Sequence, residues 1–184
     1  MYEKRNPSAK RHHFRHAEDW AMSAFMMDHA VRAIRKRTRL DRSHDIPYLA
    51  GYSKDGKTIY IDRHMAKSFV CKGRRIQTDR FLLVHEAVEK ALIQLLGLHY
   101  QHAHQIALRA EQAAVRAEGI PWKAYDDFMQ IYIKEIGDER LTKVPADLDD
   151  TPYRDEHDTA LLKQMQAHTE KVLKTVTRKA LKRS

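Results

Sequence analysis

Apolar residues recur at three- and four-residue spacing through most of the chain, a period that predicts helices. Trp20, Ala24, Met27, Val31 and Ile34 trace one such stripe over residues 17–37. A second apolar run, from Phe81 to Leu96, follows Thr78 and Asp79, either of which can cap a helix, and stops at Gly97. Glycine there suits the left-handed turn that closes a helix, so a central helix over about 79–96 is expected. The same period predicts a helix from about 101 to 118, ended by Gly119 and Pro121, and another from 121 to 136, ended by Gly137. A long charged helix is expected over 154–182, with Leu161, Met165, Val172, Val176 and Ala180 on one side.

Residues 46–70 break this period. Two short runs rich in β-branched and aromatic residues flank Ser53-Lys54-Asp55-Gly56, which predicts a β-hairpin with strands near 48–52 and 57–62. In the second strand Ile59 and Ile61 point one way and Thr58, Tyr60 and Asp62 the other, so one face is expected to pack on helices. The fold class expected is mainly α (α+β), a helical domain with a small β-hairpin. Its parts are a basic flexible tail over 1–16, a core over 17–153 and a basic helix over 154–184.

Composition narrows the classes. At 184 residues and 42% apolar, the chain can build one hydrophobic core. Its one cysteine, Cys71, cannot form an internal disulfide. No stretch reaches the roughly 18 apolar residues that span a bilayer, and the basic start lacks the apolar segment of a signal peptide, so no membrane and a cytoplasmic setting are expected. The formal charge of +9 is carried by the two ends, residues 1–43 and 163–184, and the middle is slightly acidic. Basic ends can hold nucleic acid, another polyanion or an acidic protein partner through salt-sensitive contacts, or can simply solvate the surface. His12, His13 and His16 belong to the tail, which offers no rigid frame for a ligand set.

The central helix carries the candidate chemistry. At about 100° per residue, His85 falls in the middle of its apolar face and Glu89 lies one turn along at about 40° from it, whereas Lys90 and Gln94 fall on the far side. On the next helix His104 and Glu111 share the apolar side within about 20° of each other, and His102 faces away. An ionised glutamate in a core must be paired, neutralised or bound to a metal. A salt bridge to another helix or a His85–Glu89 hydrogen bond would answer for Glu89. A short connection at 97–100 makes the two helices antiparallel neighbours, and then His85, Glu89, His104 and Glu111 can converge on a divalent metal. No glycine-rich phosphate loop and no paired Glu-x-x-His motif is present, which leaves nucleotide binding and a di-iron bundle without support. Cys71 has basic neighbours at Lys67, Lys72, Arg74 and Arg75, and Tyr60, Asp62 and His64 end the second strand where they could position a substrate.

The segment Val84-His85-Glu86-Ala87-Val88-Glu89-Lys90-Ala91-Leu92, preceded by the strand Thr58-Ile59-Tyr60-Ile61-Asp62, resembles the active-site helix of the zincin metallopeptidases, whose motif is His-Glu-x-x-His. The resemblance spans about residues 57–115, and here Glu89 stands where the second histidine would be. It implies that His85 and Glu89 bind metal, that Glu86 is the general base acting on metal-bound water, and that a following helix supplies the third ligand. With His104 as that ligand the set is two histidines and a glutamate, which suits zinc; with Glu111 it would favour manganese or iron. Glu111 could instead orient His104. The resemblance implies a metal-dependent hydrolase acting on a peptide or other amide. The rival expectation is a non-catalytic basic helical protein with His85 and Glu89 paired internally.

Overall fold

The computed structural model describes residues 22, 24–137 and 141–181. The predicted tail over 1–16 with His12, His13 and His16, Trp20, and the last residues of the final helix lie outside them. The fold is mainly α (α+β), as the periodicity predicts. Helix α1 runs over 24–37, and Met27 and Val31 are buried on its inner stripe.

The hairpin forms with slightly shorter strands than expected. β2 (Ala50–Tyr52) pairs antiparallel with β3 (Thr58–Ile61), Ala50 opposite Ile61 and Tyr52 opposite Ile59. A strand that sequence did not predict, β1 (Arg39–Asp41), lies parallel to β3 on its other edge, giving the order β1-β3-β2. Three residues with charges at both ends carry no alternation to read. The expected two-faced character of β3 is also corrected: all four of its residues are buried. Ile61 belongs to the main core with Phe81 and Leu82, while Tyr60 packs in a second cluster with Ile46, Val144, Leu148, Tyr153 and Met165. The chain from Val144 onward covers the face expected to meet solvent.

A second hairpin, β4 (Ser68–Cys71) with β5 (Arg74–Gln77), turns through Lys72 and Gly73, both at positive φ (49° and 74°). That pair of left-handed residues is the two-residue turn that matches the twist of antiparallel strands. Cys71 packs partly against the main core, and Val70 is exposed.

Helix α2 (Asp79–Leu96) matches its predicted span. Its capping differs: the Thr78 hydroxyl donates to the Ala66 carbonyl, 2.8 Å away, and caps nothing in the helix. Gly97 closes it at φ 63°, its N–H bonding the Ile93 carbonyl at 3.1 Å. Two positions assigned to the apolar face, Leu95 and Leu96, are exposed. Conversely Lys90, on the predicted far side, is buried: its ammonium pairs with Asp149 at 3.1 Å and lies 4.1 Å from the centre of the Tyr52 ring.

Helix α3 (Tyr100–Ala117) returns along α2, as the short connection requires, and α4 (Trp122–Gly137) follows the turn at Gly119. Phe81 of α2 meets the Tyr125 ring of α4 edge-on at 5.3 Å, and Phe69 of β4 stacks on Phe128 at 4.8 Å. The long final helix is broken. α5 (Thr151–Asp155) ends at Glu156, His157 turns at φ 55°, and α6 (Thr159–Leu181) starts afresh. Asp158 explains the restart, since its carboxylate accepts the Leu161 N–H at 3.0 Å in the manner of an N-cap. Met165 is buried against the second cluster, and the described side chains from 170 onward are exposed. Among the described residues, no helix is long and apolar enough to cross a membrane.

Candidate metal centre

The antiparallel α2–α3 pair brings three of the four predicted ligands to one point. His85 Nε2 lies 3.2 Å from His104 Nδ1, His104 Nδ1 lies 3.0 Å from Glu89 Oε2, and Glu89 Oε2 lies 3.5 Å from His85 Nε2. His85, Glu89 and His104 are accordingly grouped closely enough to share one ion. Bonds of about 2.1 Å in a tetrahedral site separate neighbouring ligand atoms by about 3.4 Å, so this triangle has the dimensions of one face of such a site. Protons on His85 Nε2 and His104 Nδ1 can pair these nitrogens with the Glu89 carboxylate, and the Tyr100 hydroxyl stands 3.4 Å from His104 Nδ1.

Glu111 is placed differently from either role expected for it. Its carboxylate sits on the other side of His85, where Oε2 accepts from Nδ1 at 2.8 Å, and Oε1 accepts the Tyr125 hydroxyl at 2.5 Å. It therefore orients His85, not His104, and is not one of the three converging ligands. With Nδ1 bonded to Glu111, His85 turns Nε2 toward Glu89 and His104, and that nitrogen must give up its proton before it can bind a metal. Sequence missed Tyr125, which α4 delivers to the back of the site. No local spacing signals it.

Electrostatics here describe a cluster short of positive charge. Burial disfavours a charged His85, yet hydrogen bonds to Glu111 and Glu89 outweigh that and push its pKa up to about 10. Burial also acts on Glu89 in the direction of protonation, but hydrogen bonds and charge from His104 and His85 hold its carboxyl below the ordinary value. Glu86, with no hydrogen-bond partner among the described residues, goes the other way. Burial first, and then the negative charges of Glu89 and Glu111, raise it to about 8. It is 6% exposed and lines the cavities on both sides of the triad. A carboxyl so placed can hold or release a proton near neutral pH.

Two cavities adjoin the triad. One, of about 230 Å³, is apolar along Leu49, Leu82, Leu108, Trp122, Met129 and Ile133. The other, of about 30 Å³, is a small cup walled by Tyr48, Tyr52, Tyr100 and Tyr153 together with His85, Glu86, Glu89 and His104. Tyr48, which lines both cavities, and Leu49, which lines the larger one, have φ of 59° and 73°. Two consecutive bulky residues in the left-handed region are strained, a cost that accumulates at functional sites. The Tyr52 hydroxyl is buried without a hydrogen-bond partner, which costs about 1–3 kcal/mol.

Other candidates fall outside the site. His102 is exposed, as expected. Tyr60 donates to Asp147 at 2.6 Å, and Asp62 accepts the backbone N–H groups of Ile46 and His64 at 2.7 and 2.8 Å. These residues tie the strand end to neighbouring loops and position nothing at the triad. No protein-family model matches the chain, and no curated protein or solved structure matches it either.

Proposed function

We propose that the chain is a zincin-like metal-binding protein and a metal-dependent hydrolase, with His85, Glu89 and His104 holding one divalent ion and Glu86 acting as general base. The observation that carries this reading is the triangle of ligand atoms with 3.0, 3.2 and 3.5 Å sides between two packed helices. Two imidazoles and one carboxylate favour zinc over the harder manganese or iron, because only one of the three donors is an oxygen. A dication also supplies the positive charge that Glu89, Glu86 and Glu111 lack.

Bound there, the ion would polarise a carbonyl and make water acidic enough to attack it near neutral pH. Glu86 takes one proton of the attacking water and returns it to the departing nitrogen as the amide C–N bond breaks, which leaves a carboxylic acid and an amine that then exchange a proton to carboxylate and ammonium. The apolar groove beside Glu86 fits a peptide or other amide with an apolar group next to the cleaved bond. The setting we assign is cytoplasmic.

Elemental analysis of protein purified without chelator tests the metal reading. About one zinc per chain is expected, with a rise in melting temperature when zinc is added. No bound transition metal, together with no thermal response, ends it.

A second reading rests on the exposed cations Arg32, Arg35, Lys36, Arg37 and Arg39 near the end of α1, and Lys171, Lys174, Arg178 and Lys179 on the free part of α6. These surfaces suit nucleic acid or an acidic protein partner, and neither role requires the inward-facing triad. Binding to DNA that weakens steeply with salt supports it, and absence of binding at low salt removes it.

A further inference from the structure

From the geometry we infer that Tyr52 is the hydrogen-bond donor for an oxygen ligand, a carbonyl, carboxylate or hydroxamate oxygen, held at the His85–Glu89–His104 point. The inference rests on the metal reading and extends it to a residue on the sheet, outside the two helices that carry the triad.

Tyr52 is 2% exposed, and its hydroxyl has no hydrogen-bond partner among the described residues. Buried hydroxyls are nearly always satisfied, so an orphan signals a missing acceptor. The cup that Tyr52 shares with the triad and Glu86, about 30 Å³, exceeds the roughly 10–15 Å³ needed for one water-sized group and is far too small for a side chain. A single oxygen is the occupant that fits. Burial and the charges of Glu89, Glu86 and Asp149 all raise the Tyr52 pKa, so the phenol keeps its proton and can donate it.

The ring is also held in place. Lys90 lies 4.1 Å over its face while paired with Asp149, and the Tyr52 carbonyl accepts the Asp149 N–H at 2.9 Å. Register with Ile59 fixes the backbone from the other side. A donor anchored in this way contributes orientation at little conformational cost when an oxygen ligand arrives.

Tyr52→Phe removes one oxygen and nothing else. Zinc stoichiometry, thermal stability without zinc, and affinity of the zinc-loaded protein for acetohydroxamate are measured on it beside wild type. The expected result is unchanged zinc content, a zinc-free melting temperature equal to or above wild type, and hydroxamate binding weakened about tenfold. A hydroxyl with a purely structural role gives the reverse, a lowered melting temperature with hydroxamate affinity intact, and overturns the inference. Equal hydroxamate affinity for the two zinc-loaded proteins overturns it as well and leaves the metal reading standing. A wild type that binds no zinc removes both.

Discussion

Replacing His85 by alanine is expected to abolish the thermal response to zinc that the proposed site would give. A ligand at a thousandfold excess over its dissociation constant stabilises the native state by about 4.1 kcal/mol. At about 2–4 °C per kcal/mol for a chain of this size, the wild-type melting temperature rises by about 8–16 °C under those conditions. His85→Ala takes away one corner of the triangle and the group that Glu111 orients, so no rise is expected at the same zinc concentration. Its zinc-free melting temperature also falls, because truncation leaves a cavity and strips the buried Glu111 carboxylate of a donor. The response to zinc, rather than the baseline, is therefore the readout. Glu111→Gln should give a graded result, with zinc affinity weakened about 10–100-fold, as expected for a residue behind a ligand. A His85→Ala protein that zinc stabilises as much as wild type would sink the assignment of His85.

Glu86→Gln separates chemistry from binding. The amide keeps the shape of the carboxyl but cannot accept a proton from water. Cleavage of peptides with an apolar residue beside the scissile bond should fall by about 10²–10⁴, the usual contribution of a positioned general base. Zinc content should stay at the wild-type level, since Glu86 is not among the three converging ligands. Comparing turnover of the zinc-loaded variant and wild type decides the matter. A variant that cleaves as fast as wild type would show that Glu86 is not the base, whatever the metal does.

The two helices that carry the triad were legible because period and angle suffice there. His85, Glu89 and His104 each sit on an apolar stripe, and the short link through Gly97 forces those stripes together. Glu111 was placed on the correct face, but which imidazole it meets depends on axial register, and a helical wheel carries no such information. Tyr52, Tyr125 and Asp149 reach the site from a strand, a later helix and a loop. Contacts between elements far apart in sequence leave no mark in local spacing. Lys90 shows the same limit: its angle is as predicted, and only the loop that folds over it buries it. The break at His157 leaves no mark in the pattern because the residues on either side continue the helical composition, and a single left-handed residue with an Asp158 cap suffices to restart the helix.

Anomalous diffraction at the zinc absorption edge, on crystals of zinc-loaded protein, tests the central claim most directly. The account predicts one peak within about 2.0–2.2 Å of His85 Nε2, His104 Nδ1 and a Glu89 carboxylate oxygen, with Glu111 still bonded to His85 Nδ1. A map with no peak among these three residues, or with the ion held elsewhere and His85 paired only to Glu111, would contradict it.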